Sequence, residues 1–383
     1  MQLMSSIPHK DAGCSPDIRN NKYARLIVPT VFVLLMIYGS WAYIHKLCVK
    51  QLYIRSGQRA TGIALIVTHG CLLVLEIVIW LQIVLIGPGI QPRVPAFELV
   101  KALPYDSVDS ESPIPGSNIL NKTIPPPKVY ECDIHGYPNW CPHCGSVKTF
   151  RTHHSRTLGA CIPRFDHYCS WLGTVIGQDN YKLFMQFVGI AVAMLGMMWI
   201  TTIICYLKYF SKRGHDGNLV ALVILAGLGF FFVAGLWVSH IYNGATHNLT
   251  SLDVMDMKNK DRREKILFIC VWHESTETRY VVQITREDYG KFWSKGTWLA
   301  NLQDEFGSNI GMWFVPWHIR QKQGDIEQGS KSISDYIGKY GVTVSDESLK
   351  ILNEKIDAGD FICVLDAHGD RGRRDGQSDL KEY

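Results

Sequence analysis

Charge is what this sequence is short of. Asp, Glu, Lys and Arg make up 19% of its 383 residues, below the roughly 25% of ordinary soluble domains. The shortage is concentrated in four stretches: LIVPTVFVLLMIYGSWAYI from Leu26, GIALIVTHGCLLVLEIVIWLQIVLIG from Gly62, LFMQFVGIAVAMLGMMWITTIICYL from Leu183 and LVALVILAGLGFFFVAGLWVSHIY from Leu219. Each has about the 20 apolar residues that a helix needs to cross a bilayer, and each outruns the core of a signal peptide. A soluble all-α protein does not fit. The chain reads as a four-span membrane protein.

Other absences narrow the reading. No small-residue cleavage site follows the first span, so Lys10, Arg19, Lys22 and Arg25 belong to a retained N-terminal segment. There is no internal repeat. The spans lack the polar residues and broken helices of a transporter or channel. Glu76 is the exception; it is costly in lipid and reads as a buried, hydrogen-bonded glutamate. An excess of basic residues on one side is missing too. The first loop carries Lys46, Lys50, Arg55 and Arg59, as many as the N-terminal segment, so the positive-inside rule gives no orientation.

What is present lies between and after the spans. Residues 88–131 open with a Pro/Ser-rich run, PYDSVDSESPIPGSNILNKTIPPPK, which reads as a linker. A segment dense in Cys and His follows, up to Cys169. Beyond the fourth span, KILFICVW and RYVVQI read as strands, and SDESLKILNEKIDAG reads as a helix capped by Ser345 and stopped by Gly359. Of the eleven cysteines, only those of the middle loop cluster with histidines, a pattern of metal binding inside cells rather than of disulfides. That favours a cytosolic loop, and with four spans both termini share its side. The Asn121-Lys122-Thr123 sequon points the other way, but such triplets are common by chance.

The spacing within the loop points to zinc. Cys141-x2-Cys144 is followed by His154 and then Cys161, which suits a closed tetrahedral Cys3His site. His143, His153 and the Cys132-x2-His135 pair are rival ligands. A second cluster, Asp166-His167-Tyr168-Cys169, joins a carboxylate, an imidazole and a thiol, the groups that activate a cysteine nucleophile.

From Cys141 to Phe184 the chain resembles the cysteine-rich domain of the DHHC-type protein S-acyltransferases, or palmitoyltransferases. The matching pieces are CPHC, KTFR, HHS, Cys161, DHYCSW and VIGQDN with Asn180. Outside that domain, Gly87-Pro88-Gly89, Thr250-Ser251-Leu252-Asp253 and Asn301-x4-Phe306-Gly307-x5-Trp313-x2-Pro316 resemble further family motifs. The resemblance implies an enzyme in which Cys169 attacks the thioester of a long-chain acyl-CoA such as palmitoyl-CoA. His167 and Asp166 then activate it, and a substrate thiol takes the acyl group in a second step. It also implies acyl-CoA contacts at Lys148, Arg151, His153 and Trp171, and structural hydrogen bonding by Asp253 and Asn180. One family zinc set maps onto Cys141, Cys144, His154 and Cys161. The other maps onto Ser155, Leu158, Tyr168 and Val175, none of which is a usual zinc ligand, so one structural zinc is expected. Tyr168 thus stands at a ligand position and leaves the Asp166, His167 and Cys169 trio intact.

The expected architecture is an α-helical polytopic membrane protein with four transmembrane helices. It has a small zinc-binding cysteine-rich cytosolic domain between spans two and three and a small α+β cytosolic C-terminal region. The expected boundaries are 1–25 for the N-terminal segment, 26–87 for spans one and two, 88–131 for the linker and 132–182 for the catalytic domain. Spans three and four occupy 183–242 and the C-terminal region 243–383. The expected partners are acyl-CoA, the lipid bilayer and membrane-associated proteins with cytosolic cysteines, with no nucleic acid. The expected location is the plasma membrane or an endomembrane, with termini and catalytic loop cytosolic. The competing reading is an inactive zinc-containing scaffold that binds cysteine-bearing proteins.

Overall fold

A computed structural model of the chain describes residues 22–97, 126–210, 216–258, 267–316, 344–365 and 371–372. Most of the expected Pro/Ser-rich linker, with the Asn121 sequon, and the N-terminal basic residues Lys10 and Arg19 lie outside the described residues.

Among the described residues, four helices are long and apolar enough to cross a membrane: Arg25–Arg55, Arg59–Ile86, Tyr181–Lys208 and Gly217–His247. The first, third and fourth contain their expected stretches and run past them, while the second starts before its stretch and stops one residue short of its end, at Ile86. The first departs most, because the α-helix Lys22–Trp41 continues directly into a π-wound segment, Ala42–Arg55. The expected first loop is corrected accordingly. Lys46, Lys50 and Arg55 ride on the helix, and the connection shrinks to Ser56, Gly57 and Gln58, where Gly57 adopts φ +65°. No helix breaker stands between Trp41 and Arg55. Lys46 lays its ammonium 5.2 Å over the Trp41 ring, as long basic side chains do at a membrane boundary. The 17 α-helical residues Arg25–Trp41 alone extend about 25 Å at 1.5 Å per residue, and with the π-wound turns that follow the helix outruns a hydrocarbon core of about 30 Å.

The chain divides into two compact units. The first comprises Met1–Val78, Tyr168–Val175 and Ile190–Val233. Its core joins Ala42, Tyr43, Leu47 and Leu52 of the first span to Met194 and Met198 of the third and Leu219 and Leu222 of the fourth. Hydrogen bonds pin this apolar core. Tyr43 Oη meets Thr201 Oγ1 at 2.9 Å and His69 Nε2 meets Ser40 Oγ at 3.1 Å. Glu76 is buried here, with Oε2 lacking a hydrogen-bond partner. Large apolar side chains such as Leu34, Ile37, Val67, Ile224 and Phe231 face outward, the arrangement that a lipid surround favours.

The second unit comprises Ile79–His167, Ile176–Gly189 and Ala234–Tyr383. Its strands are β1 (Val129–Cys132), β2 (Trp140–Cys141), β3 (Ser146–Val147), β4 (His153–Ser155), β5 (Ala160–Ile162), β8 (Leu267–His273), β9 (Thr278–Ile284), β10 (Cys363–Leu365) and β11 (Arg371–Gly372). A sixth strand in chain order, β6 (His167–Cys169), and its partner β7 (Thr174–Ile176) form a hairpin whose turn belongs to the first unit. The antiparallel order β1-β8-β9-β10-β11 makes one sheet. Both expected strands are present as β8 and β9, and the expected helix spans Asp346–Asp357, with Ser345 accepting from Ser348 N and Gly359 at φ +73°. Leu352 and Ile356 of that helix pack with Phe292, Ile269 and Val282.

Residues after the second span do more than link. Gly87 and Gly89 both take positive φ, a geometry that costs glycine little. The chain then runs along the Cys/His segment. Gln91, buried, accepts from Thr149 N at 2.9 Å and donates its side-chain amide to Val147 O at 2.7 Å, while its backbone N–H donates to Cys161 O on β5. Gly177 packs beneath this turn: a Cβ there would lie 2.6 Å from Ile162 Cγ2 and 2.8 Å from Pro88 O. Gly177→Ala is therefore expected to lower stability by about 1–3 kcal/mol, the range for overpacking a tight core. Thermal unfolding in detergent measures this, with Gly70→Ala, whose Cβ meets nothing within 4 Å, as the control that leaves the midpoint unchanged or raised.

Candidate active site and metal centre

Two short hairpins build the metal centre. In β2–β3, Cys141 pairs with Ser146, and Gly145, at φ +57°, closes the Cys-Pro-His-Cys knuckle by donating its N–H to Cys141 O at 2.9 Å. In β4–β5, His154 stands directly opposite Cys161. The ligand atoms of Cys141, Cys144, His154 and Cys161 all lie within 4.8 Å of one another, and among the described residues this is the group that converges so. His154 Nδ1 is 3.5 Å from Cys141 Sγ and 3.3 Å from Cys144 Sγ. Tetrahedral zinc with bonds of about 2.3 Å to sulfur and 2.0 Å to nitrogen separates those atoms by about 3.5 Å, so the donor set fits the ion. Burial, and then the Cys141 and Cys144 thiols, push the Cys161 thiol above its ordinary range, so that thiol gives up its proton when a cation binds.

The rival ligands are not in this converging group. Cys132 is buried in the sheet among Tyr130, Cys270 and Val281. His143 stacks on the His154 ring at 4.9 Å, and His153 faces Ile162 across β4–β5. Ser155 closes the β4–β5 turn, its hydroxyl accepting from Leu158 N at 3.3 Å, while Leu158 is exposed.

The Asp166 carboxylate and the His167 imidazole meet. Asp166 is 2% exposed. Its Oδ2 lies 2.6 Å from His167 Nδ1, and its Oδ1 accepts from Ser251 N at 2.6 Å. Burial alone would raise its pKa. The hydrogen bond with His167, the two neighbouring imidazoles and the Ser251 N–H outweigh that and hold it down to about 2. A carboxylate so firmly ionised can only accept, which assigns the Nδ1 proton to His167 and leaves Nε2 as the basic nitrogen. The ring is flanked by Phe184 at 5.2 Å and His240 at 6.2 Å. Cys169 follows two residues later on β6; successive side chains of a strand alternate, so His167 and Cys169 share a face. Cys169 is buried, and its carbonyl accepts from Gly173 N at 2.9 Å.

Several supports escaped the sequence reading. His240 uses both ring nitrogens, Nδ1 toward Tyr181 Oη at 3.1 Å and Nε2 toward Ser251 Oγ at 3.4 Å. A histidine inside an apolar span was the available signal. Arg164, two residues before Asp166, donates Nη1 to Asp304 at 3.0 Å and Nη2 to Glu305 and Asn248. Its positive φ of 46° leaves no mark in the sequence.

The residues matched to acyl-CoA contacts differ in burial and partners. Lys148 and His153 are half-buried in the second unit. Arg151 is buried, ion-paired with Asp253, and lies 5.1 Å over the Trp293 ring. Asp253 also accepts from Thr250 N, Thr250 Oγ1 and Tyr289 Oη at 2.8–2.9 Å. Asn180 accepts from Gly177 N at 2.9 Å. Trp171, in the first unit, is 46% exposed.

Comparison with known proteins adds the rest. A family profile described as DHHC palmitoyltransferase matches residues 134–258. Palmitoyltransferase PFA5 of Saccharomyces cerevisiae is 38% identical over 365 residues, covering 92% of this chain and 96% of that protein. Palmitoyltransferase PFA5 of Candida glabrata is 38% identical over 90% of this chain and 94% of its own. The Kluyveromyces lactis protein of the same name is 35% identical over 91% and 97%.

The expected metal content is one zinc per chain, read by elemental analysis of the purified protein, and Cys141→Ser should abolish it and lower the thermal midpoint, because metal binding here is folding energy. Two zinc ions per chain would mean that Cys132, His135 or His143 had been recruited.

Proposed function

Because this chain belongs to the DHHC palmitoyltransferase family, we propose that it carries a long-chain acyl group from acyl-CoA to Cys169 and on to cysteine thiols of membrane-associated proteins. The observation that carries the proposal is the 2.6 Å contact between His167 and an ionised Asp166, two residues before Cys169 on one strand. His167 Nε2 takes the Cys169 proton, and the thiolate adds to the thioester carbonyl. The carbon–sulfur bond to coenzyme A then breaks, and His167 returns the proton to the departing thiol. In the second step a substrate thiol gives its proton to His167 and attacks the acyl-Cys169 thioester; the acyl group moves and Cys169 leaves with the proton. Asp166 stays ionised throughout and stabilises the imidazolium.

Zinc at Cys141, Cys144, His154 and Cys161 is structural in this scheme, since four protein ligands leave no open position. Lys148 and His153 are assigned to the phosphates of coenzyme A, which suit cationic side chains. Arg151, buried and ion-paired with Asp253, is assigned a positioning role instead of a phosphate contact, and Trp171 is assigned to the acyl chain. The four spans set the reaction at a bilayer, into which acyl chains partition, with the catalytic loop and both termini on the cytosolic side. The scaffold alternative is disfavoured by the intact Asp166, His167 and Cys169.

Incubation with labelled palmitoyl-CoA should give a hydroxylamine-sensitive adduct on the wild type and none on Cys169→Ser. His167→Ala should slow its formation by about two to four orders of magnitude, the usual contribution of a positioned base. Equal labelling of wild type and Cys169→Ser contradicts the mechanism.

A further inference from the structure

The turn that carries Cys169 is small. β6 and β7 contribute three residues each, and a strand pair of that size is marginal by itself. Between them Tyr168–Val175 reads YCSWLGTV, which contains no His, Asp or Glu and no second Cys. A metal has nothing but Cys169 to hold within this turn, so packing must fix it.

Within the first unit, the turn meets the start of the first span along one stripe. The Arg25 guanidinium lies 6.0 Å from the centroid of the Tyr168 ring. Gly173, at φ +72°, presents its α-carbon so close to Pro29 that a Cβ would sit 3.4 Å from Pro29 Cγ. Phe32 and Trp171 meet edge to face, 6.1 Å apart and at 68°. Arg25, Pro29 and Phe32 are separated by four and then three residues, the spacing that lines side chains along one helix face. Their partners 168, 171 and 173 bracket Cys169. A cation over a tyrosine ring and an edge-to-face aromatic pair are directional, so they fix orientation as well as distance.

We propose that the Arg25–Pro29–Phe32 stripe is a clamp that positions the Cys169 turn for acyl transfer, with Arg25 and Tyr168 as its polar-aromatic end. The proposal rests on the acyl-transfer reading of Cys169 and names positioning residues for it. Tyr168 then acts through its ring, and its hydroxyl takes no part in proton transfer.

The test uses the full-length protein in lipid nanodiscs and the variants Arg25→Ala, Arg25→Lys, Tyr168→Leu, Tyr168→Phe and the double Arg25→Ala/Tyr168→Leu. One readout is the rate of Cys169 labelling across palmitoyl-CoA concentrations. The other is hydrogen exchange of the peptide covering 168–175, which needs no acyl chemistry. Arg25→Ala and Tyr168→Leu should each slow labelling at saturating palmitoyl-CoA by about tenfold, within the reach of a half-buried cation–aromatic contact, with the apparent KM and the zinc content unchanged. Arg25→Lys and Tyr168→Phe should recover to within about threefold, the double variant should be no slower than either single one, and exchange of 168–175 should quicken. Wild-type labelling and exchange in Arg25→Ala overturn the clamp, as does a double variant slowed by the product of the single effects. Should the wild type itself fail to label, the acyl-transfer reading falls, while unchanged exchange in the variants would still separately overturn the clamp.

Discussion

A carboxylate that is buried and still ionised organises this site. Taking Asp166 out of water is costly unless every lone pair finds a donor. The donors are His167 Nδ1 on one oxygen and Ser251 N on the other. Ser251 opens the helix Ser251–Lys258, so the carboxylate also faces the positive end of a helix. The needs of one charge therefore tie the strand that carries His167 to the segment leaving the fourth span. His240 extends the same network through Ser251 Oγ, and Tyr181 extends it to the start of the third span. Two further buried cations stand nearby in sequence, Arg151 on Asp253 and Arg164 on Asp304 and Glu305. Pairs of this kind break at high cost when one partner is removed, which makes the base of the site rigid.

Much of this was legible before any coordinates. Apolar runs near bilayer length needed only counting, and β8, β9 and the helix Asp346–Asp357 announced themselves by β-branched content and by the Ser345 and Gly359 caps. The four metal-type residues were readable from spacing, because a Cys-x2-Cys knuckle and a facing hairpin pair are local structures. What stayed hidden depended on long-range pairing. β1 is four residues, VYEC, with no alternation to mark it, and it gains its place by pairing with β8 more than a hundred residues on. Gln91 resembles any linker glutamine until its amide is seen bridging Val147 and Thr149. The first helix was underestimated because lysines were counted as loop, whereas long basic side chains sit well on a helix that leaves the membrane.

Tyr168 illustrates how a substitution is understood only with its surroundings. Position alone marks it as a lost ligand in a resemblance to two-zinc proteins. In the structure it is an aromatic ring beside Arg25, and Val175, at another lost position, is buried apolar surface. Neither residue carries a group that would move a proton at neutral pH, and burial raises the Tyr168 phenol further from that range. In the proposed mechanism the chemistry therefore falls to Asp166, His167 and Cys169, with the remaining Cys/His cluster as scaffold.

The central claim is that the acyl group rests on Cys169 between two transfers. A pulse–chase separates this from direct transfer. The protein is loaded with labelled palmitoyl-CoA, stripped of free acyl-CoA, and given a cysteine-bearing acceptor protein in the same nanodiscs. The account predicts that label leaves the Cys169 peptide and arrives on the acceptor cysteine at matching rates with no acyl-CoA present. Label that reaches the acceptor only when acyl-CoA is restored, while the Cys169 adduct persists, would contradict it.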